Sequence, residues 1–130
     1  MFGLFKKKPK ILIVDDDGFM RTVISNYIPK EVFDVVMAKD GEEGIKVAES
    51  ESPSLILLDA NMPNKDGWDT LVDLKNSKKT NQIPVLMCTA VDDVNSLDRA
   101  FLAGAQGYIT KPVNKDALIK KIKKTLGMEE

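Results

Sequence analysis

Leu55-Ile56-Leu57-Leu58-Asp59-Ala60-Asn61-Met62-Pro63 is the stretch on which the fold turns. Four large apolar residues run together and stop at a carboxylate. A run that apolar, too short for a typical helix and closed by Pro63, predicts a strand buried on both faces. Asp59 then sits where a buried strand emerges into a loop. Ligands of open α/β sheets bind at the carboxyl ends of strands, so an acid at this point is a candidate site residue.

The flanking chain repeats the pattern. Lys10 to Val14 is apolar and β-branched and breaks into Asp15-Asp16-Asp17-Gly18, a second buried strand ending in acid. From Phe19 to Ile28, Phe19, Met20, Val23, Ile24, Tyr27 and Ile28 recur at helical spacing, and Pro29 closes the helix. Phe33 to Ala38 is a third strand. Asp40 is the expected N-cap of the next helix, with Glu42 and Glu43 in its first turn. After the Asp59 strand, Asp66-Gly67 marks a turn, and Trp68, Leu71, Val72 and Leu74 line a helix. Ile83 to Cys88 is a further strand, with Pro84 near its start. Val94, Leu97 and Phe101 mark one face of a helix that Gly104 stops. Gly107 to Thr110 is a short last strand ending at Lys111-Pro112. A final helix turns Leu118, Ile119, Ile122 and Leu126 inward and several lysines outward.

Strands alternating with helices in this way predict an α/β fold: a (βα)5 three-layer sandwich whose parallel sheet carries helices on both faces. One domain is expected, residues 10–127, after an N-terminal arm (1–9) and before a short tail (128–130). The arm, Met1-Phe2-Gly3-Leu4-Phe5-Lys6-Lys7-Lys8, mixes apolar and basic residues; of two readings, a weak membrane or partner contact and a frayed, solvated segment, the second is expected. No apolar run approaches the ~20 residues of a membrane span.

Composition excludes several chemistries. The chain has no histidine, which removes His-based metal sites, Ser-His-Asp triads and histidine general bases. Its single cysteine, Cys88, cannot form an intrachain disulfide and suits a reducing, cytoplasmic compartment. A formal net charge of −1 offers no general attraction to nucleic acid, and the lysines of the last helix read as a solvated face.

Asp15, Asp16, Asp59, Thr89 and Lys111 all fall at carboxyl ends of the predicted strands. Carboxylates brought together there repel by about 4 kcal/mol per pair at ~4 Å and an effective dielectric of ~20. Either some are protonated or a cation sits among them, and oxygen ligands favour a hard cation such as Mg2+. Three acids, a lysine and a hydroxyl suit a phosphoryl group, with a carboxylate as nucleophile.

Ile11-Leu-Ile-Val-Asp-Asp-Asp17, Leu57-Leu-Asp-Ala-Asn-Met-Pro63, Asp66-Gly67, Cys88-Thr-Ala90 and Gly104-Ala-Gln-Gly-Tyr-Ile-Thr-Lys-Pro112 together resemble a response regulator receiver domain of the CheY-like type. The resemblance spans about Lys10 to Leu126. It implies a flavodoxin-like sheet of order 2-1-3-4-5 in a stand-alone, single-domain regulator. It implies Asp59 as phosphoacceptor from the phosphohistidine of a sensor kinase or histidine phosphotransfer protein. Mg2+, with Mn2+ as an alternative, would be held by Asp15, Asp16, Asp59 and the backbone carbonyl of Asn61. Lys111 would pair with Asp59, the Thr89 hydroxyl would move toward the phosphoryl group, and Tyr108 would turn inward behind it. Lys111-Pro112 is expected to be cis.

The resemblance further implies that the helix after Thr89, the last strand and the last helix form the surface that changes. Output through an unidentified downstream protein, or onward phosphotransfer, is expected of a monomer or weak dimer that contacts no nucleic acid itself. Asn61 and Val91 occupy positions that tune phosphoryl lifetime in the family. A rival resemblance begins at Asp15-x-Asp17-Gly18, the first motif of haloacid-dehalogenase-type phosphatases, with Asp15 as nucleophile and Asp17 as acid/base. It leaves Asp59 to Pro63 unexplained, and its acidic pair, Asp92-Asp93, precedes Lys111 instead of following it. A third reading is a receiver used as a binding module indifferent to phosphate; such members lose an acid, the Thr or the Lys, and none is lost here.

Overall fold

The computed structural model describes residues 7–63, 65–90 and 94–128. Five strands and five helices alternate: β1 (Lys10–Val14), α1 (Gly18–Tyr27), β2 (Asp34–Ala38), α2 (Gly41–Glu51), β3 (Leu55–Asp59), α3 (Gly67–Asn76), β4 (Val85–Ala90), α4 (Val94–Leu102), β5 (Gly107–Lys111) and α5 (Lys115–Thr125). All pairings are parallel and the strand order is β2-β1-β3-β4-β5. This is the expected doubly wound sheet, with β3 at its centre. β4 is shifted against expectation: it starts after Pro84, which lacks the N–H that a ladder needs, and runs through Thr89 to Ala90.

Strand alternation divides the core into two layers. Leu12, Val14, Ile56, Leu58, Val85 and Met87 face Ala48 of α2, Trp68, Leu71 and Leu74 of α3, and Ala100 of α4. Ile11, Ile13, Leu55, Leu57, Leu86 and Cys88 face Ile24 of α1 and Leu118 and Ile122 of α5. Every residue of β3 is buried, as its unbroken apolar run predicts. At roughly 1.5–3 kcal/mol per fully buried large aliphatic side chain, β3 fixes the sheet's register.

The helices start where the sequence places caps. Asp40 accepts from Glu43 N–H, Asp66 from Asp69 N–H and Asn114 from Ala117 N–H, each satisfying an otherwise orphaned first-turn donor. Gly104 adopts φ +95° just after α4, the left-handed conformation that ends helices.

Three residues read as inward-facing do not face inward. Phe19 is 74% exposed, Phe101 is 63% exposed and Val72 is exposed. Periodicity counts apolar residues but does not fix the phase of the stripe: Ile24 holds α1 to the sheet and Leu71 with Leu74 holds α3, which leaves Phe19 and Val72 on the outer faces. Ile119 and Leu126 are half-buried. No helix among the described residues is long and apolar enough to cross a membrane.

Candidate functional site

Four strands deliver the site. β1 runs out into Asp15, β3 ends on Asp59, β4 carries Thr89 and β5 ends on Lys111. The register pairs Val14 with Leu58, Asp59 with Cys88 and Ala90 with Lys111, so these four side chains leave the same edge of the sheet. Ordinary ladder bonds fix the exits: Asp15 N–H donates to Ala38 O (3.2 Å) and Ala60 N–H to Cys88 O (3.0 Å).

Asp15 and Asp59 are each 3% exposed, whereas Asp16 is exposed. The three carboxylates each present an oxygen within 4.8 Å of the others. Lys111 crosses over β4 to place Nζ 2.5 Å from Asp59 Oδ1. Asp59 Oδ1 also accepts from Asn61 N–H (3.3 Å), and Asp15 Oδ1 from Asp17 N–H (2.9 Å).

The charges are not balanced. Burial pushes the Asp15 carboxyl up to about 6, with the Asp59 and Asp16 carboxylates adding to it against the Asp17 N–H and the Lys111 ammonium. Burial alone would lower Lys111, but the hydrogen bond and charge of Asp59 outweigh it and hold the ammonium above its ordinary value. One ammonium facing three carboxylates leaves room for a divalent cation. The all-oxygen donor set of Asp15, Asp16 and Asp59 could hold a hard ion such as Mg2+.

Thr89 Oγ1 is, among the described residues, the one buried side-chain oxygen or nitrogen without a hydrogen-bond partner. Buried hydroxyls are nearly always satisfied, so the free Thr89 hydroxyl, on a strand that enters the site, is an exception to the rest of the described core. Tyr108 is half-buried on β5, with Lys121 Nζ 5.7 Å from its ring centroid. The Lys111–Pro112 bond is cis, as expected.

Two contributors were not legible as site residues. Gly67, read only as a turn, packs so tightly that a Cβ there would lie 2.0 Å from Asp59 O and 2.7 Å from Ala60 Cα. The Asp-Gly pair was the available signal, but its target was not. Arg21 donates from Nη1 to Asp15 O (2.6 Å), bracing the loop after β1; nothing in the sequence pointed to it.

Asp17 has a different employment from its neighbours. Its carboxylate caps α1, accepting from Phe19 and Met20 N–H. That engages the group a haloacid-dehalogenase-type reading needs as acid/base. Asp92, Asp93 and Val91 lie outside the described residues, as does the arm before Lys7. Cys88 is buried, and burial pushes its thiol up to about 12, which makes it an inert core residue.

The strand order β2-β1-β3-β4-β5, with Asp15, Asp16, Asp59 and Lys111 at the carboxyl edge, places the chain among the doubly wound α/β domains that carry their site at that edge. The chain belongs to the response regulator receiver domain family, whose model matches residues 11–123. It is 36% identical to the chemotaxis protein CheY of Bacillus subtilis over 118 residues, covering 90% of this chain and 97% of that one. It is 34% identical over 118 residues to the DNA-binding dual master transcriptional regulator RpaA of Synechocystis, covering 91% of this chain and 49% of that one. Among solved structures, a response regulator from Chloroflexus aurantiacus superposes with a TM-score of 0.88 at 28% identity, covering 93% of this chain and 99% of that one. The chain spans about half the length of several of the curated relatives it matches.

Proposed function

We propose that this chain is a phosphorylation-operated switch in a two-component pathway, with Asp59 as phosphoacceptor. The observation that carries the reading is the buried Asp59 carboxylate, gripped by Lys111 at 2.5 Å inside a cluster of acids. A carboxylate so placed is a poised nucleophile whose surroundings already carry donors for a transferred phosphoryl group.

An Asp59 Oδ atom attacks the phosphorus of a partner's phosphohistidine. The new O–P bond forms as the P–N bond breaks, and the electron pair stays with the departing imidazole, which takes a proton from water. The partner must supply the histidine, because this chain has none. Lys111 transfers its ammonium from Asp59 Oδ1 to a phosphoryl oxygen. Asp15, Asp16, Asp59 and the Asn61 backbone carbonyl would hold Mg2+, which when bound would supply charge neutralisation for the phosphoryl oxygens.

The signal follows from the free Thr89 hydroxyl. Thr89 Oγ1 gains a partner once a phosphoryl oxygen arrives, and β4 shifts toward Asp59. Tyr108, on the neighbouring strand, moves into the space vacated. The bistable element is the surface of α4, β5 and α5, where Phe101 and Leu102 stand exposed on α4. A histidine kinase or histidine phosphotransfer protein is the donor, and a downstream protein reads that surface or takes the phosphoryl group onward.

The test is intact-protein mass after incubation with Mg2+ and acetyl phosphate. One phosphoryl group on the wild type and none on Asp59→Asn supports the reading. A labelled Asp59→Asn variant, or an unlabelled wild type, overturns it.

A further inference from the structure

Arg21 stands one turn into α1, next to an acid cluster, yet it pairs with none of the acids. The ion pairs among the described residues are Lys10–Glu51, Lys65–Asp73 and Lys111–Asp59. The half-buried Arg21 instead donates from Nη1 to Asp15 O at 2.6 Å. Two features bring it there. Side chains of a helix lean toward its N-terminus, so a long one at this point of α1 reaches back over the loop that follows β1. Gly18 leaves the path clear: a Cβ there would lie 3.2 Å from Arg21 Nη2, against the guanidinium.

The carbonyl that Arg21 holds belongs to the peptide unit joining two of the three acids. Asp15 is fixed at two other points: its N–H donates to Ala38 O (3.2 Å), and its Oδ1 accepts from Asp17 N–H (2.9 Å). Asp16 is exposed, so packing does little to aim it. Its carboxylate nevertheless presents an oxygen within 4.8 Å of those of Asp15 and Asp59. The peptide unit is planar, so anchoring the Asp15 oxygen also anchors the direction in which Asp16 leaves the strand end.

We propose that Arg21 is a positioning residue for the divalent-cation site: by holding the Asp15 carbonyl, it keeps the Asp16 carboxylate turned toward Asp15 and Asp59. The proposal rests on the reading of those three acids as cation ligands and adds a sign to it. A guanidinium near the site repels a divalent cation, so by charge alone Arg21 hinders metal binding and its removal would improve it. Orientation acts the other way, since groups that hold metal ligands in place are worth roughly 10- to 100-fold in affinity. The carbonyl bond also spares the acids. A guanidinium forked onto Asp16 would occupy the oxygens that a cation needs, whereas one held on Asp15 O leaves them available.

The experiment is calorimetric titration of the full chain with Mg2+, as wild type, Arg21→Met and Arg21→Lys, at a temperature where thermal unfolding in EDTA shows each to be folded. Met keeps the apolar stem and removes both donor and charge; Lys keeps a donor and the charge. Arg21→Met is expected to bind Mg2+ at least about tenfold more weakly than wild type, and Arg21→Lys to fall between the two. Binding by Arg21→Met as tight as that of wild type, whatever its stability, leaves Arg21 as the structural partner of a buried carbonyl and overturns the proposal. Tighter binding by Arg21→Met, or Arg21→Lys weaker than Arg21→Met, makes the charge decisive and overturns it as well. A wild type that binds no Mg2+ overturns the reading of the acids as a cation site, and the proposal with it.

Discussion

Asp15→Asn is expected to stabilise the metal-free protein while disabling its metal site. Burial and two neighbouring carboxylates push the Asp15 carboxyl from 3.8 up to about 6. Folding at pH 7 therefore carries an already ionised group into surroundings that disfavour the charge. A difference of about two pH units, at 1.36 kcal/mol each, costs the fold about 3 kcal/mol. Asn keeps the oxygen that accepts from Asp17 N–H and removes the charge. Its buried amide returns part of the gain, so about 1–3 kcal/mol, or roughly 3–10 °C in Tm, is expected in EDTA at pH 7. The sign with pH is fixed. A carboxyl with a higher pKa folded than unfolded binds its proton more tightly in the folded state, so its penalty is absent below 3.8 and complete above about 6. The variant's advantage should thus shrink as pH falls from 7 to 4. Millimolar Mg2+ should stabilise the wild type and not the variant. Urea unfolding of both proteins across that pH range, with EDTA or Mg2+, decides the matter. A variant less stable than wild type in EDTA at pH 7, or an advantage indifferent to pH, would refute the reasoning.

Other substitutions probe the remaining parts. Lys111→Ala is expected to keep the fold and accept a phosphoryl group but fail to change the α4–β5–α5 surface; hydrogen exchange of that surface with and without acetyl phosphate checks it. Gly67→Ala forces a Cβ against Asp59 O and Ala60 Cα, and an expected loss of about 3 kcal/mol or more should appear as a lowered urea midpoint. Arg99→Ala removes the guanidinium 4.8 Å from the Trp68 ring; Trp68 emission should change, with a stability loss of at most about 1 kcal/mol. Leu57→Ala, at the centre of the sheet, should cost about 2–5 kcal/mol by denaturant unfolding.

Much of the site was legible because each contributor is also a boundary. Asp15, Asp59 and Lys111 stand where apolar runs stop, and a parallel sheet gathers all its strand ends on one edge. The acid cluster thus followed from chain direction alone. Thr89 was weaker evidence, since most strand-end hydroxyls are satisfied; its unpartnered oxygen appears only with the neighbours in place. Gly67 and Arg21 were hidden for a different reason. Each acts on a backbone oxygen, of Asp59 and of Asp15, and sequence spacing does not report which carbonyl a residue will meet.

The sequence by itself determined the elements, their parallel pairing and the edge on which the acids lie. Apolar runs, caps and the Pro and Gly breaks act locally, over a few residues. Only the tertiary structure decided which side of each helix is buried, exposing Phe19, Val72 and Phe101, because helix phase is set by competition for one shared sheet face. The resemblance implied the pairing of Lys111 with Asp59, but the 2.5 Å contact across β4 and the degree to which Asp15 is buried among like charges are set only by the tertiary structure, because desolvation and Coulomb energy depend on distances between residues far apart in the chain.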